Sequence, residues 1–508
     1  MRVLLINPPY VSISSRGVGH QIPFGLLCIA GPLIDAGHEC RLLDAERHHL
    51  LPRAIETAVA EYAPDIVMTG HAGSTPAHPS CMVALEAARR ACPNAVTVYG
   101  GVYPTYHAAD ILTREQCVDV IIQGEGEVSA LALVDALSEG KPLSSVRGIV
   151  YRDDGAVVKN APEALIKELD HCRIGWELIE NWDLYQCFGL GRAAIIQFSR
   201  GCPHQCNYCG QYQFWSKWRY RDPRKIAAEI AWLYREHGVN FVDLADENPT
   251  SSKRLWREFL EALVEEDVPV RLFATIRATD IVRDADLLPL MKKAGMICVL
   301  MGIETTNPET LAAIRKGSTT REDQQAVALL RQHGILSMLG HIVGFEEERF
   351  GDYWQAGRQI SLYDPDLVNA MYLTPHKWSD WTAENGTRGV IQTDKAKWDY
   401  RNQLLSSRYL SPGAIFLLVK LLELAVHCRP RALKRILFHE DRQLRQHLRW
   451  CFRFSFRVWR AEIAEFCRRP PARHGVMSLA EWFGKASAST PKPELGRPAK
   501  AREPDAVL

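Results

Sequence analysis

Over the first 140 residues, short apolar runs rich in β-branched residues alternate with stretches whose apolar positions recur every three or four residues. The runs predict strands at 3–6, 40–44, 66–69, 96–99 and 118–123, and the amphipathic stretches predict helices at 25–36, 53–62, 81–91 and 128–138. Such alternation implies an α/β domain, a doubly wound (Rossmann-like) parallel sheet with helices on both faces. Ligands of these folds sit at the carboxyl ends of the strands. The polar and glycine-rich segments 70–76, 100–105 and 124–127 fall at those ends.

Residues 141–190 read as a linker containing a small hairpin (148–151 and 156–159), after which the alternation resumes. Strands are expected at 194–198, 239–244, 270–275, 297–301, 337–343 and 367–372, with helices between them. Six such units imply a partial or full (β/α) barrel over 191–390. From 391 to 485 the chain reads as a helical region, with helices at 415–424 and 444–466. The second interleaves arginines with Trp450, Phe452, Phe454, Phe456 and Trp459. The segment 486–508, rich in Pro, Ala, Ser and charge, is expected to be a disordered tail.

The 508 residues carry 61 basic and 60 acidic side chains, so no global charge argues for nucleic acid. The opening MRVLLINPPY lacks the features of a signal peptide and reads as a first buried strand. With no apolar run long enough to span a bilayer, a cytoplasmic location is expected. Fourteen cysteines in such a chain are not a disulfide framework. Those standing singly, such as Cys28, Cys81, Cys298 and Cys451, are expected to be core residues.

One group is clustered. Cys202, Cys206 and Cys209 form C-x3-C-x2-C directly after an expected strand. Three thiolates leave one iron of a four-iron four-sulfur cubane without a protein ligand, a vacancy suited to a chelating molecule. Zinc is the competing reading, but a structural zinc wants four ligands, and no second C-x2-C knuckle exists. His204 lies inside the tight loop, poorly placed to be the fourth. This motif, with a strand before it and Tyr208 beside the last cysteine, resembles that of the radical S-adenosylmethionine (SAM) superfamily.

The resemblance implies further site residues. The superfamily places an acidic motif after its second strand to hold the ammonium of SAM; here Ala245-Asp246-Glu247 stands there and Glu247 is the candidate. Glu304 in Met301-Gly302-Ile303-Glu304 would reach the ribose or amino group, and Arg277 the carboxylate. Ile342 and Gly344 would pack the adenine through their backbone, beside Tyr208. No catalytic acid or base is singled out. The doubly wound domain ahead of the barrel resembles the cobalamin-binding domain of the cobalamin-dependent subclass. That implies a corrin near Gly70, Ser74, Thr75, Gly100, Gly101, Tyr103, Thr105, Gly124, Glu125 and Gly126. The Asp-x-His-x-x-Gly element of an axial histidine is missing, so cobalamin bound without histidine ligation is expected. Flavin or a nicotinamide dinucleotide would call for a G-x-G-x-x-G fingerprint that is not present.

Phe214-Trp215, residues 219–223, 244–250 and 277–284 resemble the anaerobic magnesium-protoporphyrin IX monomethyl ester oxidative cyclases, clearly in the barrel and loosely elsewhere. The resemblance implies an oxidoreductase of (bacterio)chlorophyll biosynthesis. Its 5′-deoxyadenosyl radical would attack a tetrapyrrole side chain, cobalamin would assist, and water would supply the ketone oxygen. It also implies an electron donor such as flavodoxin or ferredoxin. A cobalamin-dependent radical SAM methyltransferase is the rival, and a non-catalytic iron–sulfur redox protein a second one. The arginine and aromatic interleave of 444–466 suits a flat, carboxylate-bearing macrocycle. The plainer reading is a helical lid with aromatic core and solvated arginines, and a peripheral membrane contact is a third.

Overall fold

The computed structural model describes residues 1–10, 20–386, 389–468 and 476–478. The expected disordered tail lies outside them. The first sheet has the order β2-β1-β3-β4-β5-β6-β7. Its parallel strands are β1 (Arg2–Asn7), β2 (Glu39–Asp44), β3 (Ile66–Thr69), β4 (Val96–Gly100) and β5 (Val120–Ile122). Helices α1 (Phe24–Asp35), α2 (Pro52–Tyr62), α3 (His78–Ala91), α4 (Val102–Arg114) and α5 (Gly126–Ser138) connect and follow them. The order reverses between β1 and β3, which opens a crevice at the carboxyl edge.

Two features depart from the sequence reading. Residues 102–114 form α4, where only a glycine-rich turn was expected. Proline, aromatic and β-branched residues there have weak helix propensity, and packing of Tyr103, Ala108, Ile111 and Leu112 into the core overrides it. The hairpin expected in the linker, β6 (Ile149–Asp153) and β7 (Ala156–Lys159), pairs antiparallel onto β5 and extends the first sheet.

The second sheet, β8-β11-β12-β13-β14-β15, is parallel throughout. Its strands are β8 (Ala193–Ile196), β11 (Phe241–Leu244), β12 (Arg271–Thr275), β13 (Met296–Glu304), β14 (Leu336–Val343) and β15 (Leu367–Tyr372). The edges β8 and β15 do not pair, so this is a partial barrel of six strands. A two-residue ribbon, β9 (Ser199–Arg200) with β10 (Arg219–Tyr220), stands after β8. The connecting helices are α6 (Pro223–His237), α7 (Lys253–Glu265), α8 (Ala278–Arg283), α9 (Leu288–Lys293), α10 (Pro308–Ala313), α11 (Thr320–Gln332) and α12 (Phe350–Tyr363). Their ends follow local chemistry: Asp222 caps α6 by accepting from the amides of Arg224 and Lys225, and Thr319 with Glu322 forms a capping box on α11.

The two sheets share a core. Ile22, Leu27 and Cys28 of the first domain pack with Ile174, Trp176 and Trp182 of the intervening segment and with Ile226 and Ile230 of α6. After β15 come α13 (Asp380–Asn385), α14 (Pro412–His427), α15 (Pro430–Phe438) and α16 (Arg442–Phe466). The amino half of α16 packs Leu448 against Phe241, Phe273, Cys298 and Leu336, at the amino ends of the barrel strands. Trp450 stacks on Phe454 and meets Phe188 there. Trp450 and Phe454 thus serve as packing at the amino end of the barrel, away from the cysteine loop.

Candidate functional site

The cysteine loop begins where β8 runs into β9. Phe198 and Ser199 donate their amides to Asp246, and Ser199 Oγ adds a third bond at 2.5 Å. Glu247 Oε2 accepts from Gly201 N at 3.1 Å. Adjacent carboxylates at the end of β11 thus fix the path into the loop. Burial lifts both carboxyls to about 7. Gly201 has φ +92°, and a Cβ there would lie 2.4 Å from Lys217 O, so the entry requires glycine.

Beyond the loop's tip, Asn207 donates to Ala313 O and Glu384, and Trp378 Nε1 donates to Gly210 O at 2.7 Å. Cys206 is buried; Cys202 and Cys209 are half-buried. Burial raises the Cys209 thiol to about 11, and Cys202 moves the same way. Sulfurs around one tetrahedral zinc would stand about 4 Å apart. Among the described residues these three Sγ atoms do not all lie within 4.8 Å of one another, so they are not drawn together as around a single zinc.

Arg277, Glu304 and Tyr208 converge on this loop. Arg277 Nη1 is 3.8 Å from Cys206 Sγ, and Nη2 donates to Lys316 O. Lys316 Nζ pairs with Glu304 at 2.6 Å, both buried, and lies 3.5 Å from Tyr208 OH. Burial and the Glu304 carboxylate hold the Tyr208 phenol well above its ordinary value. Ile342 lies at the carboxyl end of β14 and Gly344 (φ +88°) just past it, where Gly344 O accepts from Gln403 Nε2 at 3.0 Å and Gly344 N donates to Glu348 at 2.8 Å. A cysteine loop, a guanidinium and a carboxylate–ammonium pair at successive strand ends fit a cluster and a zwitterionic nucleoside beside it. Lys316 and Gln403 were not foreseen, because each reaches the site from a loop with no periodic signal.

Across the interface, the first sheet presents its own strand ends. Gly101 (φ +111°) and Gly124 (φ +73°) each have open space where a side chain would stand, with Gly70 and Gly100 beside them. Among the described residues Ser74 Oγ is buried without a partner, and Thr75 Oγ1 lies 3.4 Å from His376 Nδ1. An unpartnered hydroxyl beside bare backbone fits a large amide-rimmed ligand. His71 has both ring nitrogens engaged, Nε2 with Glu46 and Nδ1 with Gly73 N, so it is not free to ligate a metal.

Four of the residues expected at the corrin have other work. Tyr103 is core, stacked on His107 and tilted against His78. Thr105 Oγ1 ties Gly101 O to Gly124 N, and Gly126 opens α5 against Ile29. Glu125 faces the barrel: its carboxylate meets Arg219 at 2.7 Å and Arg200 at 3.7 Å, while Glu127 meets Arg200 at 2.6 Å.

The comparisons with known proteins agree with this geometry. Residues 196–359 match the model of the radical SAM superfamily, and residues 11–134 match that of the B12 binding domain. The chain is 46% identical over 467 residues to the anaerobic magnesium-protoporphyrin IX monomethyl ester cyclase of Synechocystis sp., covering 92% of this chain and 93% of that one. It is 34% identical to the protein of the same name from Rubrivivax gelatinosus, over 82% of this chain and 75% of that one. Among solved structures, the radical SAM methyltransferase TsrM from Kitasatospora setae, with cobalamin and a [4Fe-4S] cluster bound, aligns with a TM-score of 0.68. Its identity is 17%, over 91% of this chain and 98% of that one.

Proposed function

Because this chain belongs to the anaerobic magnesium-protoporphyrin IX monomethyl ester cyclase family of radical SAM enzymes, we propose that it performs that oxidative cyclisation, closing the isocyclic ring on a tetrapyrrole. The observation that carries this reading is that 46% identity spans nearly the whole of both chains, cobalamin domain included. Similarity to the methyltransferase structure is one of fold. When bound, the reduced cluster and SAM supply a 5′-deoxyadenosyl radical for hydrogen abstraction, and cobalamin assists the oxidation that follows.

The chain's own residues hold and orient these groups. Cys202, Cys206 and Cys209 supply three thiolates and leave one iron open. Arg277, beside Cys206, offsets the negative charge that this ligation gathers in a buried place. Glu247 and the Glu304–Lys316 pair present oppositely charged groups to the amino acid and ribose of SAM, and Tyr208, Ile342 and Gly344 wall the adenine. Gly70, Ser74, Thr75, Gly100, Gly101 and Gly124 cradle the corrin. Glu125, Tyr103, Thr105 and Gly126 shape that cradle from behind. The first domain extends through the hairpin to about residue 160 and the barrel from about 190 to 375. A depression of about 480 Å³ on the outer side of the loop, lined by Cys202, Gln205, Lys217 and Trp218, gives a flavodoxin or ferredoxin access to the cluster.

The test uses reconstituted enzyme, magnesium-protoporphyrin monomethyl ester and heavy-oxygen water. Labelled divinyl protochlorophyllide with 5′-deoxyadenosine as the sole nucleoside product is expected. Stoichiometric S-adenosylhomocysteine with a methylated product would overturn the reading in favour of a methyltransferase.

A further inference from the structure

Among the described residues no helix is long and apolar enough to cross a membrane, yet one face of the helical region is apolar and open. Helix α14 has two charged residues inside its span, Lys420 and Glu423, and both point inward, into a buried network with Arg401 and Glu462. Its outward stripe is Leu417, Leu421 and Ala425, continued by Cys428 just past its end, with the two leucines 48% and 59% exposed. The neighbouring α12 adds Phe350 and Trp354, one turn apart, with Trp354 67% exposed. A folded protein leaves such a run of large apolar side chains uncovered where something docks.

The surface continues onto α16. Trp459 Nε1 donates to Lys420 O, and Phe416 stacks on Phe466, so the carboxyl half of α16 lies against α14. An apolar cavity of about 200 Å³ opens between them, with Leu424 and Cys428 on one wall and Phe452, Phe456 and Trp459 on the other. Phe456 is itself 43% exposed at the mouth. Beyond it the solvent side of α16 carries Arg449, Arg453, Arg457 and Arg460, all exposed, and no exposed acid inside the helix. Glu440 and Asp441, at the turn before α16, are the nearest exposed acids in sequence. Leucine, tryptophan and phenylalanine flanked by a row of arginines match an anionic bilayer surface: side chains enter the acyl boundary while guanidinium groups meet phosphate.

We propose that α14, with Trp354 of α12 and the Phe456–arginine face of α16, docks this enzyme on an anionic lipid membrane. The face includes none of the residues placed at the cysteine loop or the corrin cradle, so docking and turnover are separable properties. The test is co-sedimentation of the cluster-loaded full chain with vesicles of phosphatidylcholine alone or mixed with phosphatidylglycerol. Binding is expected to the mixed vesicles, at least about tenfold tighter than to phosphatidylcholine, and to fall with added salt. Leu417→Glu with Leu421→Glu abolishes it. Arg453→Gln, Arg457→Gln and Arg460→Gln together weaken it about 100-fold, at about fivefold per arginine. Leu51→Glu, exposed on the other domain, leaves it unchanged.

Cluster absorbance reports whether each variant is folded, and the arginine variants keep the test open if the leucine pair does not fold. Equal affinity for both vesicle types overturns the proposal. So does a solution dimer that the leucine variants split, because a second copy then covers the face.

Discussion

A single buried carboxylate at the mouth of the cysteine loop shows how the site is held. Asp246 accepts two amides and one hydroxyl from the Phe198–Ser199 turn, yet burial lifts its carboxyl to about 7. In the unfolded chain an aspartate titrates near 3.9. Between about pH 4 and 7 the native state therefore binds the extra proton, so this group's contribution to stability falls as pH rises through that window and is level above it. Asp246→Asn is neutral at every pH. In urea unfolding of the apo-protein, the stability of wild type relative to the variant should be lower near pH 7.5 than near pH 5. The slope between is at most about 1.4 kcal/mol per pH unit. An identical difference at both pH values contradicts the assignment. The sequence marks this place through the acidic pair 246–247, but Lys316 escapes it. A lysine twelve residues past Glu304 pairs with it only because the β13–α11 connection folds back, and no local pattern records that.

At the scale of elements, the strands of both sheets were readable because most are short apolar runs bounded by glycine or a polar turn. Helices α4, α13 and α15 were not: each is short or built of weak helix formers, and tertiary contacts decide its state. The segment 124–127 teaches a related lesson. Its glycines read correctly as a strand-end turn, but its two glutamates look across to β9 and β10 instead of into the corrin crevice. Glu125 and Glu127 with Arg200 and Arg219 join α5 to the ribbon that frames the cysteine loop. Removing one charge from such a buried network leaves the others unpaired, at a cost of about 3 kcal/mol or more. Glu125→Gln should therefore lower the unfolding midpoint clearly, while corrin uptake at saturating cobalamin stays near one per chain. A variant of unchanged stability that no longer binds corrin would restore Glu125 to the ligand shell.

At the scale of the whole molecule, the two sheets are readable as separate units, but their union is not. The pairing depends on long-range packing that no window of sequence contains. Trp176 enters the barrel-side core beside Ile226 and Ile230, while Gly175 N donates to Leu27 O of α1. Trp378, from beyond β15, stacks on Tyr106 of α4 and belongs to the first domain's core. Each domain thus carries residues that complete the other's interior, and the two should unfold together. The chain contains thirteen tryptophans, none before Trp176, so indole fluorescence reports chiefly the strap, barrel and helical region, with Trp378 at the domain seam, while far-ultraviolet circular dichroism reports the whole. In apo wild type the two signals should lose half their amplitude at the same urea concentration. Gly31 gives the perturbation: inside α1, a Cβ there would lie 1.9 Å from Arg173 O, a backbone atom of the intervening strap. Gly31→Ala must push the strap off α1 without touching either sheet. It should destabilise the protein by about 2 kcal/mol or more and separate the two transitions, with fluorescence and dichroism no longer coincident. Coincident transitions in a variant as stable as wild type would mean that the strap does not couple the domains, and that the contacts of Trp378 and the Glu125 network alone hold the cobalamin crevice against the cysteine loop.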